Sequence, residues 1–177
     1  MSSICQEAIA VDGSSVCELP EPSGDVVEAR RIGGPIAGVR DGAWLLRVLV
    51  VDDDHDCADS LSTLVHRWGH DVQTAYDGAA ALEMMGSRQP DVALVDLSMP
   101  GMDGCQMVRR LRRQTRFNHT LLIAITGWVD QVHRLLCDEA GFDLYLIKPI
   151  ELADLEKLLL GERDRLARFS RRVSKKG

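Results

Sequence analysis

Short apolar runs alternate with amphipathic stretches along the chain from residue 45 onward. Five runs have the length and continuity of buried β-strands, and each is followed by a segment with apolar residues at helical spacing. Uninterrupted apolar strands separated by amphipathic helices are typical of a parallel sheet covered by helices on both faces. The pattern therefore predicts an α/β fold, with a doubly wound five-stranded parallel sheet as the middle of three layers. The predicted strands are residues 46–51, 71–75, 92–95, 121–125 and 144–147.

The predicted helices have recognisable beginnings and ends. Leu61, Leu64, Val65 and Trp68 share one helix face, and Gly69 stands where a helix commonly ends. An aspartate precedes the second helix as a candidate cap. The helices that follow are predicted over 105–113, from 129 until Gly141, and from 152 through 166.

The two ends of the chain differ from its middle. Residues 1–43 are rich in proline and glycine and have little periodicity, which predicts a flexible, mostly disordered or loosely docked arm with a short helix near 26–32. Residues 45–160 carry 18 acidic and 11 basic side chains, whereas residues 161–177 carry 2 and 7. We therefore expect an N-terminal arm (1–43), one domain (44–160) and a basic C-terminal helix extension (161–177).

Composition excludes several classes of protein. No apolar stretch is long enough to span a membrane, and the first residues lack the basic start and apolar core of a secretory signal. The cysteines are odd in number and form no CxxC pair, which argues against a zinc knuckle or a disulfide framework. We expect a cytoplasmic protein with reduced thiols and no membrane partner. The cysteines are Cys5, Cys17, Cys57, Cys105 and Cys137.

Polar residues end four of the five predicted strands. Asp52 and Asp53 follow the first strand, Asp96 the third, Thr126 the fourth and Lys148 the fifth. Ligands of open parallel sheets bind beyond the carboxyl ends of the strands, so these side chains are expected to meet at one edge. The coincidence of such residues at that edge indicates a functional site rather than four independent strand ends.

The residue types at this edge suit phosphoryl transfer. Asp53 and Asp96 can supply oxygen ligands to Mg²⁺ (or Mn²⁺), together with a backbone carbonyl just after Asp96. A free Asp96 oxygen could attack phosphorus and form an aspartyl phosphate. The metal and Lys148 would neutralise charge on the transferring phosphoryl oxygens, and the Thr126 hydroxyl could donate a hydrogen bond to one of them.

Four motifs together resemble the receiver domains of two-component response regulators. They are LVVDDD (49–54), LVDLSMPGMDG (94–104), IAITG (123–127) and LIKP (146–149), in the order and spacing of that family. The resemblance covers residues 45 to 160 and implies a flavodoxin-like (βα)5 fold. It also implies that Asp96 is the phosphoacceptor and that Asp52 and Asp53 are the acidic metal pair.

The resemblance implies roles for further residues. The backbone carbonyl of Ser98 would bind the metal, Thr126 would be the switch hydroxyl, and Lys148 would contact the phosphate. Tyr145 matches the aromatic residue that changes rotamer with the switch hydroxyl. The bond between Lys148 and Pro149 would be a cis peptide.

Three features leave alternatives open. Trp128 either shields the acyl phosphate and slows its hydrolysis or packs on the helix that follows. Asp54 is favoured as a helix cap or a supporting contact over a metal ligand. A cluster of arginines at one helix end is either solvated or docks a partner. These arginines are Arg109, Arg110, Arg112, Arg113 and Arg116.

We expect a signalling module of a two-component phosphorelay and not an enzyme, apart from self-catalysed phosphoryl transfer to and hydrolysis from Asp96. A histidine kinase or histidine phosphotransfer protein would supply the phosphoryl group, and phosphorylation would repack a surface formed by the fourth and fifth helices. No output domain is expected, the downstream protein partner is not identified, and a homodimer remains open. The alternatives are a degenerate receiver that acts as a phosphorylation-independent interaction module, a metal-dependent phosphohydrolase and, least favoured, nucleic-acid binding through the basic tail.

Overall fold

A five-stranded parallel sheet forms the centre of the molecule. The structure, a computed structural model, describes residues 39–40, 43–127 and 131–174. Its sheet has five strands, with every neighbouring pair parallel, in the order Asp71–Ala75, Arg47–Val51, Val92–Asp96, Leu121–Thr126 and Leu144–Ile147, which confirms the predicted fold. Most of the arm, with the helix expected near 26–32, lies outside the described residues. The strands are β3 (Arg47–Val51), β4 (Asp71–Ala75), β5 (Val92–Asp96), β6 (Leu121–Thr126) and β7 (Leu144–Ile147).

Helices cover both faces of this sheet. Buried residues of α1 and α5, such as Val65 and Leu155, share one core with one side of the strands. Those of α2, α3 and α4, such as Met85 and Leu111, share a second core with the other side. None of the helices in the described part of the chain is long and apolar enough to cross a membrane. The helices are α1 (His55–Arg67), α2 (Gly78–Arg88), α3 (Gly104–Arg112), α4 (Gln131–Ala140) and α5 (Leu152–Ser174), and a short 3-10 helix, Thr115–Phe117, follows α3.

Aspartate side chains begin three of these helices. Asp54 accepts a hydrogen bond from the backbone N–H of Cys57 at 3.1 Å, which confirms the predicted cap of α1. Asp77 accepts two such bonds at the start of α2, and Asp103 accepts one at the start of α3. Each bond satisfies a backbone donor that has no partner within its helix. These caps therefore fix the residues at which the three helices begin.

Sequence periodicity missed a short hairpin that precedes the first strand of the sheet. Strands β1 (Val39–Arg40) and β2 (Ala43–Trp44) pair in an antiparallel hairpin, and β2 lies against α5. The last helix, which the sequence predicted from 152 through 166 with a basic helix extension after residue 160, continues to residue 174. Glu162, which is buried, forms an ion pair with Arg165 inside this extension, so the added turns have their own internal contacts.

Gly104 allows the loop after β5 to return very close to its own strand. A Cβ atom on this residue would lie 2.4 Å from the backbone oxygen of Asp96 and 3.1 Å from a methyl group of Val95. The backbone N–H of Gly104 donates to the carbonyl of Leu97 at 3.3 Å. A larger residue would force this loop away from the strand end.

We expect Gly104→Ala to lower the free energy of unfolding by about 1–3 kcal/mol, because the new methyl group would overlap backbone atoms that cannot move freely. The matched control is Gly161→Ala in α5, where nothing lies within 4 Å of the added atom. That change should stabilise the helix by about 0.5–1 kcal/mol, since alanine loses less entropy than glycine there. Urea unfolding of both variants measures the two effects, and equal stabilities would contradict the close packing at Gly104.

Candidate functional site

The polar residues that the sequence predicts at strand ends lie together at the carboxyl edge of the sheet. Asp52 and Asp53 follow β3, Asp96 ends β5, Thr126 ends β6, and Lys148 follows β7. These four strands are neighbours in the sheet, so the parallel register brings their ends to one place. Asp52, Asp96 and Thr126 are buried, while Asp53 is exposed.

Three carboxylates form the centre of this site. One oxygen from each of Asp52, Asp53 and Asp96 lies within 4.8 Å of the others. Asp52 is 6 % exposed and Asp96 is 5 % exposed, so water solvates these two charges poorly. Buried like charges at such distances require a cation or hydrogen-bond donors.

The ammonium group of Lys148 lies between the two buried carboxylates. Its Nζ is 2.9 Å from Oδ2 of Asp52 and 2.7 Å from Oδ1 of Asp96. Burial alone would lower the pKa of Lys148, but hydrogen bonds to Asp96 and Asp52 and their charges outweigh it and raise this pKa above its usual value. The lysine is therefore a permanent positive charge at the site.

The backbone around Lys148 holds this side chain in place. Its N–H donates to the carbonyl of Thr126 at 2.8 Å, which ties the end of β7 to the end of β6. The peptide bond between Lys148 and Pro149 is cis, the isomer that the motif LIKP implied.

Backbone N–H groups satisfy the other oxygens of the buried pair. The N–H of Asp54 donates to Oδ1 of Asp52 at 3.0 Å, and the N–H of Ser98 donates to Oδ2 of Asp96 at 2.6 Å. The side chain of Asp54 caps α1, and the hydrogen bond from the Cys57 N–H lowers the pKa of Asp54. The three consecutive aspartates thus differ: Asp52 is buried against the lysine, Asp53 faces solvent beside it, and Asp54 begins the helix.

The donor set fits a small divalent cation. All three clustered side chains offer carboxylate oxygens, the ligand type that Mg²⁺ and Mn²⁺ prefer, and an exposed member leaves room for water ligands. Two buried carboxylates share one lysine, so additional positive charge would be stabilised there. The metal-binding role predicted for the Ser98 carbonyl stays a prediction, because the observed contact of Ser98 with Asp96 is made by its N–H.

Thr126 and Tyr145 lie beside this centre on neighbouring strands. Thr126 is buried at the end of β6 and pairs in register with Ile147. Tyr145 lies two residues earlier on β7, is half-buried, and packs against the core shared with α2, α3 and α4. Their switch roles remain predictions, and Trp128 lies outside the described residues.

The structure adds a stacked pair that sequence reasoning missed. The rings of His55 and Tyr76 lie 3.8 Å apart and nearly parallel, next to the aspartate triplet. The Tyr76 hydroxyl donates to Asp59 at 2.7 Å, and this hydrogen bond raises the pKa of Tyr76. No periodicity relates a residue at the start of α1 to one after β4, so only their packing reveals this contact.

Comparison with known proteins agrees with this geometry. A family model for the response regulator receiver domain matches residues 48–160. The chemotaxis protein CheY4 of Vibrio cholerae is 27 % identical, with a TM-score of 0.61 over 69 % of this chain and 98 % of that one. The receiver domain of the Francisella response regulator 1452 is 29 % identical, with a TM-score of 0.62 over 68 % and 98 %.

A third similar structure is the N-terminal domain of an uncharacterized protein from Wolinella succinogenes. It is 30 % identical, with a TM-score of 0.63 over 70 % of this chain and 98 % of that one. The matched region contains the whole carboxyl-edge site from Asp52 to Lys148. The chain therefore belongs to the response regulator receiver domain family.

Proposed function

We propose that this receiver domain accepts a phosphoryl group on Asp96 from a phosphohistidine of a histidine kinase or phosphotransfer protein. The observation that carries the proposal is the Lys148 ammonium 2.7 Å from Asp96 and 2.9 Å from Asp52. This arrangement places a fixed positive charge beside a buried carboxylate at the functional edge of an open α/β sheet. It suits a nucleophile that must receive a highly charged group.

The transfer step follows from the chemistry of the carboxylate. An oxygen of Asp96 attacks phosphorus, the new P–O bond forms, and the P–N bond to the donor imidazole breaks. The donor imidazole, protonated on its other ring nitrogen, leaves with the electron pair of that bond and so ends as neutral histidine. Lys148 stabilises the negative charge on the phosphoryl oxygens during transfer, which is the main demand of this reaction. Hydrolysis of the same acyl phosphate would end the signal.

Asp52, Asp53 and Asp96 are the residues that would hold a divalent cation. When bound, Mg²⁺ or Mn²⁺ supplies positive charge for the oxygens of the transferred group. The chain itself contributes the carboxylate cluster, the lysine and the backbone donors of Asp54 and Ser98 that orient the carboxylates. Neither carboxylate of the buried pair can rotate without losing a hydrogen bond.

Phosphorylation would change the partner-binding surface of the domain. A phosphoryl group on Asp96 adds charge and hydrogen-bond acceptors near Thr126, one strand away. Movement of Thr126 would open space toward Tyr145 on β7 and alter the adjoining surface of α4 and α5. That surface already exposes large apolar side chains suited to a protein partner, namely Leu135, Leu136, Ile147 and Leu152.

We expect a small phosphodonor such as acetyl phosphate, with Mg²⁺, to add the mass of one phosphoryl group to the protein. Asp96→Asn should abolish this gain, because an amide oxygen is a much weaker nucleophile than a carboxylate. Asp71→Asn, at the amino edge of the sheet where β4 begins, is the matched control and should still be labelled. Intact-protein mass spectrometry measures all three, and labelling of Asp96→Asn would disprove the assignment.

We expect Mg²⁺ to raise the thermal unfolding temperature of the wild type, because a ligand that binds only the folded state stabilises it. Asp53→Asn should weaken the apparent Mg²⁺ affinity by about tenfold or more, since the exposed carboxylate is lost from a three-carboxylate cluster. Asp54→Asn retains a capping side chain and should keep near wild-type affinity. Thermal titrations with MgCl₂ compare the three proteins. Equal losses in both variants would contradict the separate roles of these neighbouring aspartates.

A further inference from the structure

The end of α3 and the 3-10 helix after it carry four exposed arginines, which we call the arginine patch: Arg109, Arg110, Arg113 and Arg116. With Arg112, they supply 5 of the 11 basic side chains in residues 45–160, a region that holds 18 acidic ones. Positive charge is therefore concentrated in eight residues of an otherwise acidic body. Such a concentration creates a local potential that attracts anionic groups.

Contacts divide these five arginines into one structural residue and four that face outward. Arg112 donates to Asp143 at 2.6 Å and to the carbonyl groups of Phe117 and Gly141, so it joins α3 to the neighbouring loops. Within the described part of the chain, Arg109, Arg110 and Arg113 form no ion pair. The patch is thus not required to hold the domain together.

Arg116 completes the patch in a fixed orientation. Its guanidinium donates to the side-chain oxygen of Gln114 at 2.8 and 3.1 Å and lies 4.7 Å from the ring centre of Phe117. Repulsion between Arg109 and Arg113, one turn apart, opposes the favourable interaction with the helix dipole. Arginine binds carboxylates with two parallel hydrogen bonds, so a short acidic segment is the ligand that fits this surface.

The patch lies at the amino edge of the sheet, where β3 also begins, although the hairpin that follows the arm contacts α5 on the other face of the sheet. A guanidinium nitrogen of Arg116 lies 3.8 Å from the position of a Cβ atom on Gly86 of α2. Two residues further along the same helix, the carbonyl of Arg88 accepts a hydrogen bond from Arg47 at 3.1 Å. Arg47 begins β3, directly after the hairpin that follows the arm.

The arm carries the complementary charge. Residues 1–43 hold seven acidic and three basic side chains. Four of the acidic ones lie in residues 18–28, which contain no basic residue, and the basic ones, Arg30, Arg31 and Arg40, follow that segment. Residues 29–38 between this segment and the hairpin can extend by about 30 Å, at roughly 3.3–3.6 Å per residue. The four acidic residues are Glu18, Glu21, Asp25 and Glu28.

We propose that the acidic segment of residues 18–28 binds the arginine patch of the same chain. The tether gives the segment a high effective concentration at the patch, so weak individual ion pairs suffice for docking. The docked arm covers α3 and excludes other anionic groups from it. High salt releases the arm, because exposed charges are screened.

Nuclear magnetic resonance of the isotope-labelled full chain tests this docking from both sides. Neutralising the arm with Glu18→Gln, Glu21→Gln, Asp25→Asn and Glu28→Gln should shift the backbone amide signals of residues 109–117. Neutralising the patch with Arg109→Gln, Arg110→Gln and Arg113→Gln should shift the signals of residues 18–28. The matched control, Arg67→Gln with Lys157→Gln and Arg168→Gln, should leave the arm signals unchanged.

A hexaglutamate peptide then reports whether the arm occupies the patch. It should bind the neutralised-arm variant about threefold or more tightly than the wild type, because the tethered segment no longer competes. It should bind the neutralised-patch variant least. Arm signals that stay unchanged in the patch variant would overturn the proposal, as would shifts that grow with protein concentration and so place the arm on a second copy. Equal peptide affinity for wild type and arm variant would assign the patch to an external acidic partner instead.

Discussion

The contact of Lys148 with Asp52 and Asp96 is the interaction on which the functional edge depends. Two buried carboxylates on neighbouring strands repel each other, and one ammonium group 2.9 and 2.7 Å away offsets that repulsion. The lysine comes from a position 96 residues beyond Asp52, so the contact exists only when β3, β5 and β7 are assembled in order. The same positive charge would also stabilise the phosphoryl oxygens in the transfer that we propose.

Charged residues form different kinds of contact at the two edges of the sheet. At the carboxyl edge a cluster of three acids, two of them paired with one lysine, forms the candidate site. At the amino edge, arginine–aspartate pairs hold elements together: Arg47 contacts Asp91 at 2.8 Å and Arg112 contacts Asp143 at 2.6 Å. The ion pairs that join structural elements therefore lie at the opposite edge of the sheet from the candidate site. This arrangement also leaves the exposed arginines of α3 with no role in stability among the described contacts.

Much of this arrangement could be predicted from the sequence because its signals are local. Continuous apolar runs marked the strands, and β4 and β7 begin and end where the pattern placed them. Asp54 was expected to begin a helix because aspartate accepts from free backbone N–H groups, and it does so. The hairpin of β1 and β2 was missed because strands of two residues are too short to show any period. The stacking of His55 on Tyr76 was missed because it joins separate elements.

The sequence by itself determined the class of fold and which polar residues stand at the strand ends. Apolar periodicity sets which segments become strands and helices, and parallel connections then bring Asp52, Asp53, Asp96 and Thr126 to one edge. Only the tertiary structure determined the burial and the contacts that distinguish these residues from one another. Burial distinguishes Asp52 from the exposed Asp53, and the backbone path makes Asp54 a cap. The position of Lys148 between two carboxylates likewise depends on distances across the sheet, which a linear pattern of residues does not contain.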